Sequence, residues 1–117
     1  MKEFDLKKRT KQYALRIINL FRSLPKTGEA SIIGKQVLRS GTSVGAQYRE
    51  ACRSRSNAEF ISKMESSLQE LDETAYWLEL LIESEIVPAK LLGELLLETE
   101  ELTAIFVSSV KTTKSRT

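Results

Sequence analysis

Residues 56–82, which read SNAEFISKMESSLQELDETAYWLELLI, decide the fold. Ser56-Asn57-Ala58-Glu59 has the form of a capping box, in which a hydroxyl and a carboxylate each satisfy a free amide at a helix start. Behind it Ile61, Met64, Leu68, Leu71, Ala75, Leu78 and Ile82 recur in alternating steps of three and four. That spacing is the apolar seam of a helix in a bundle or coiled coil. The segment predicts a helix over about 57–85.

Working outward, Pro88 suits the first turn of a following helix, expected over 88–111 with Leu92, Leu95, Leu96, Leu102, Phe106 and Val110 inward. The polar tail over 112–117 is expected to fray. Toward the N-terminus, Asp5 can cap a helix over 5–24 that carries Leu6, Tyr13, Ala14, Ile17, Phe21 and Leu24. Leu24-Pro25-Lys26-Thr27-Gly28 stops it, and a further helix is expected over 29–54. Short links between long helices predict one all-α domain over residues 1–117, an antiparallel up-down-up-down four-helix bundle.

Composition agrees and removes much chemistry. Hydrophobic residues at 41% and charged residues at 29% fit a folded chain. Two prolines and five glycines are too few for a turn-rich β domain. There is no histidine, so Ser-His and Cys-His catalysis and the usual zinc and di-iron sites are excluded. Cys52 is alone and has no imidazole to activate it; its place on a small-residue stripe predicts a buried apolar role. Glu94, Glu98 and Glu101 share one helix side, but such acidic runs are ordinarily solvated or salt-bridged, and no metal or other cofactor is expected. No apolar run is long enough for a bilayer, and Met1 to Asp5 lacks the apolar stretch of a secretory signal. The expected setting is the cytoplasm, and the chain is expected not to be an enzyme.

Two stripes on the helix over 29–54 carry the rest. Gly34, Gly41 and Gly45 fall within about 40° on a helical wheel, in line with Cys52. Each glycine costs a helix roughly 1 kcal/mol relative to Ala, which is tolerable where another helix approaches closely. A phosphate loop is rejected, because Gly28 to Gly34-Lys35-Gln36 has the wrong spacing and Gln replaces the magnesium-binding hydroxyl. A quarter-turn away, Lys35, Arg39, Arg49 and Arg53 share a direction, with Thr42 between them. Arg9, Arg16, Lys8 and Lys11 can extend this field. In the helix over 57–85, Trp77 and Leu81 point away from the seam, which predicts a subunit interface.

The charge is strongly polarised. Residues 1–55 hold 13 Lys and Arg against 4 Asp and Glu, a balance of +9; residues 56–110 hold 2 Lys against 12 acids, a balance of −10. Two readings of the basic stripe follow. It contacts RNA or DNA phosphates without base readout, or it pairs with carboxylates such as Glu59, Glu65, Glu70, Asp72, Glu73 and Glu79. The N-terminal excess is too large for one acidic helix to absorb, which tips the reading toward nucleic-acid binding; the alternative is a protein-interaction scaffold whose charge asymmetry serves assembly.

The run Arg39-Ser40-Gly41-Thr42-Ser43-Val44-Gly45-Ala46-Gln47-Tyr48-Arg49-Glu50-Ala51, with Ser56-Asn57-Ala58-Glu59-Phe60-Ile61, Leu68-Gln69-Glu70-Leu71 and Tyr76-Trp77-Leu78-Glu79, resembles the bacterial four-helix bundle proteins first recognised as reading frames within intervening sequences of 23S rRNA genes. Many members place Asn where this chain has Gln47. The resemblance implies a cytoplasmic subunit that assembles into a ring-shaped homo-oligomer, typically a pentamer. It also suggests kinship with the accessory subunit of diversity-generating retroelements, which engages nucleic acid and a reverse transcriptase. Carried over to this chain, Arg39, Thr42, Ser43, Gln47 and Glu50 become packing or interface positions, with no catalytic residue among them.

Overall fold

A computed structural model describes residues 5–116. They form four helices, α1 (Leu6–Ser23), α2 (Gly28–Cys52), α3 (Asn57–Glu83) and α4 (Ala89–Ser115), and no strand occurs among the described residues. The particle measures 47 × 23 × 21 Å, little longer than its longest helices. No described helix is long and apolar enough to cross a membrane. Of the tail over 112–117 expected to fray, residues 112–115 form the last turn of α4, which ends at Ser115, and Thr117 lies outside the described residues.

Local chemistry sets the helix ends. Asp5 Oδ1 accepts from the Lys8 amide at 3.3 Å, and Ser56 Oγ from the Glu59 amide at 3.0 Å. The Glu59 carboxylate returns not to Ser56 but to the Arg55 amide, one residue earlier, at 3.0 Å. At the end of α3 the chain turns through Glu85 at φ 66°, while the amides of Glu85 and Ile86 reach back to Ile82 O and Leu81 O. This is a Schellman closure with a glutamate where glycine is usual.

Each helix packs on its neighbours in sequence, α1 on α2, α2 on α3 and α3 on α4, whereas α1 and α4 meet only briefly. The glycine stripe lies against α1. A Cβ built at Gly41 would fall 2.7 Å from Ile17 Cγ1, and one at Gly45 would fall 3.0 Å from Thr10 Oγ1. Gly34 faces Leu24 and Phe21.

The core of α3 differs from the expected seam. Its buried residues are Met64, Ser67, Leu71, Thr74, Leu78 and Leu81, a line rotated by roughly 50° from Ile61–Ile82. Leu81 is therefore fully buried rather than outward, and Trp77 lies on the flank of the core, partly covered. Ser67 and Thr74 make the rotation possible because their hydroxyls are satisfied: Ser67 Oγ donates to Val44 O at 2.8 Å, and Thr74 Oγ1 to Glu70 O at 2.7 Å.

The Thr74 bond belongs to a buried hydroxyl layer with one member from each helix, Tyr13, Ser40, Thr74 and Thr99. Thr99 Oγ1 donates its single proton to Leu95 O at 2.8 Å, so Tyr13 donates to Thr99 at 2.7 Å. By the same logic Ser40 donates to Thr74 at 2.7 Å. Burial pushes the Tyr13 phenol up to about 12, partly offset by the hydroxyls of Thr99 and Thr74, and keeps it a neutral donor.

Candidate nucleic-acid interface

The four cations of the α2 stripe have different environments. The line they share lies between the direction of α1 and that of α3, so small offsets along the helix decide which way each reaches. Arg39 leans to α3. Its guanidinium bonds Glu70 at 3.2 Å and also Glu73. As an open phosphate contact this residue is a correction: carboxylates of the same subunit already hold it. Lys35, Arg49 and Arg53 are exposed and make no ion pair among the described residues.

Arg49 leans to α1, where it lines a groove of about 240 Å³ together with Lys7, Thr10, Lys11, Thr42 and Gly45. Among the described residues no carboxylate lines this groove. Thr10 and Thr42 donate their hydroxyl protons inward, to Leu6 O and Leu38 O, both at 2.7 Å. The donors that the groove presents to solvent are therefore cationic, set on a lining that also includes Ala14 and Ala46.

On α1 the expected extension of the field divides. Arg9 is consumed by α4, bonding Glu98 through Nε at 2.7 Å and Nη2 at 2.8 Å and Glu101 at 2.7 Å. The Glu98 hydrogen bond leads the effects that hold its guanidinium even more firmly protonated. Lys8, Lys11 and Arg16 stay exposed and make no ion pair among the described residues. Lys7 was not singled out from the sequence; it lies one turn before Lys11, on the side where Thr10 meets Gly45. The i, i+4 spacing was visible, but only the α1–α2 contact tells which face of α1 borders Arg49.

The residues carried over from the family run lie mostly along the border of α2 and α3. Gln47 Nε2 donates to Glu70 at 3.5 Å, and Glu50 accepts from Lys63 at 2.9 Å. The Glu50 hydrogen bond is the main reason the Lys63 ammonium is shifted upward. Ser43 returns its proton to Arg39 O at 2.7 Å, and Thr42 borders the cationic groove instead. Glu70 thus gathers Arg39 and Gln47 on one half-buried carboxylate.

Compared with known proteins, residues 2–108 match the profile of the family described as 23S rRNA-intervening sequence protein. The chain belongs to that family. A solved structure of an S23 ribosomal protein family member of unknown function, from Bacteroides thetaiotaomicron VPI-5482, superposes with a TM-score of 0.85 at 38% identity. The alignment covers 90% of this chain and 97% of that one. No curated protein is a match.

Two further placements correct the sequence reading. Cys52 is exposed, not buried, because the glycine stripe meets α1 only as far as Gly45 and α2 runs on past the start of α1. Its thiol, after burial itself, helps raise the neighbouring Tyr48 phenol. Trp77 and Leu81 do not form one outward patch: Leu81 is core, while Trp77 meets the exposed Tyr76 edge-on at a centroid distance of 5.1 Å. The Trp77 Nε1 is buried without a hydrogen-bond partner. Among the described residues no group of three or more His, Cys, Asp or Glu is placed to hold a metal.

Proposed function

We propose that this protein is a non-enzymatic, homo-oligomeric nucleic-acid-binding accessory protein of the cytoplasm, with exposed cations of the basic half contacting phosphates irrespective of base sequence. The observation that carries the reading is that Lys35, Arg49 and Arg53 are exposed and make no ion pair among the described residues, although α3 and α4 offer carboxylates to the same subunit. Guanidinium and ammonium groups in that state bind polyanions with a strong salt dependence. An antiparallel up-down-up-down arrangement is supported by the order of contacts, since Ser40 meets Thr74 while Val44 meets Ser67. A ring, and five subunits in it, follow from the family resemblance. The test is affinity for a generic RNA across a salt series, with size-exclusion light scattering of the same samples. Steep salt dependence and a multimeric mass are expected; a flat salt response removes the polyanion reading, and a monomeric mass removes the assembly.

A second reading, a protein-interaction scaffold, is favoured by the α3 surface. Tyr76 is 55% exposed against Trp77, in a shallow cavity bordered by Asp72, Glu73 and Glu79. Replacing Tyr76 by Ala should change the oligomer mass under this reading and leave RNA affinity unchanged.

A further inference from the structure

We propose that the groove between α1 and α2 is a clamp for the phosphodiester backbone, with Lys7, Lys11 and Arg49 as its anion-binding groups. The inference rests on the polyanion reading and gives it a site. Three features define the groove.

Its floor is tight because Gly45 lacks a side chain: a Cβ built there would fall 3.0 Å from Thr10 Oγ1 and 3.2 Å from Thr10 Cβ. Lys7 and Lys11 stand about 6 Å apart along one wall, one helical turn, and Arg49 stands on the other. None of the three has an ion-pair partner among the described residues, because the ion pairs of these two helices lead elsewhere, Arg9 to α4 and Arg39 and Glu50 to α3.

The chemistry of the lining selects the ligand class. Thr10 and Thr42 have already given their protons to the backbone, so every donor facing the opening belongs to a cation. A neutral ligand would gain hydrogen bonds but no charge pairing, and a cation would be repelled. Among the described residues no aromatic ring lines the groove, so they offer bases no surface to stack on. A chain of phosphates, gripped through charge and indifferent to its bases, satisfies this set.

The experiment measures fluorescence anisotropy of labelled oligo(U), oligo(A) and a mixed-sequence RNA duplex with the full chain and two charge variants. The groove variant is Lys7→Gln/Lys11→Gln/Arg49→Gln; the control, at two exposed cations outside the groove and the α2 stripe, is Arg22→Gln/Lys90→Gln. Removing three phosphate contacts should weaken binding of all three probes by about tenfold or more and make the slope of log affinity against log salt shallower by about 2. The control should lose far less, and Lys7→Arg/Lys11→Arg should retain affinity. Inorganic polyphosphate should displace every probe. If the groove variant binds like the unmodified chain while that chain shows steep salt dependence, the clamp is wrong and the polyanion reading survives on other cations. A marked preference for oligo(A) over oligo(U) overturns backbone-only recognition. A flat salt response of the unmodified chain removes both.

Discussion

Substituting Gly41 by Ala tests the close approach of α1 and α2, and with it the geometry of the cationic groove. In an open helix interior the change stabilises, by about 1 kcal/mol, because Ala loses less backbone entropy and shields the helix. Gly93 offers that open case: nothing lies within 4 Å of a Cβ built there. At Gly41 the same methyl would sit 2.7 Å from Ile17 Cγ1 and 2.9 Å from both Cδ1 and Cγ2. Ile17 is fully buried, and both arms of its β-branched side chain are among the atoms struck, so no flexible tip can swing aside.

Forcing an extra methyl into a filled core costs about 1–3 kcal/mol. Set against the helix gain of about 1 kcal/mol, Gly41→Ala should range from neutral to about 2 kcal/mol destabilising. Gly93→Ala should instead gain about 1 kcal/mol, and the gap between the two variants isolates the steric cost. Urea unfolding followed by far-UV circular dichroism reads both. In an Ile17→Val background, which removes one of the three struck atoms, the Gly41→Ala penalty should shrink, a coupling expected only between residues in contact. A Gly41→Ala protein as stabilised as Gly93→Ala would refute the packing argument.

Two further outcomes follow from the core and from a helix end. The Tyr13 phenol titrates at about 12 in the folded chain against 10.0 for the ordinary group, so the fold favours its neutral form. That contribution is fully present below pH 10 and is lost as pH climbs through 10 toward 12. By about pH 11.5 the stability difference between the native chain and Tyr13→Phe should have narrowed by roughly 2 kcal/mol, measured by urea midpoints; a constant difference would place Tyr13 outside the buried layer. At the α3 terminus, Glu85→Gly should stabilise by about 1 kcal/mol by relieving a left-handed conformation, raising the melting temperature by several degrees; a loss of stability would contradict the Schellman closure.

The electrostatic design has a clear division of labour. Arg9 and Arg39 hold helices together, each gripping two carboxylates across the bundle. Both sit where their side chains reach another helix, Arg9 half-buried and Arg39 exposed. Partly exposed pairs of this kind add modestly to stability, on the order of 1 kcal/mol or less. Their larger consequence is to fix which cations are left for an external anion.

Helix content, helix positions and the exclusion of histidine-based catalysis were legible from the chain alone, because caps, apolar spacing and composition act locally. The glycine stripe was legible for a related reason: three positions on one side of a helix announce a close neighbour without naming it. Which way α3 turns was not legible, since apolar spacing does not mark Ser67 and Thr74 as core, and only Val44 and Ser40 on another helix supply their hydrogen-bond partners. The fate of each arginine was equally hidden. Arg39 and Arg49 lie on one stripe, yet one reaches the carboxylates of α3 and the other the lysines of α1. Periodicity fixes the direction a side chain leaves its own helix; what it meets depends on the neighbouring helices, and only the tertiary packing decides that.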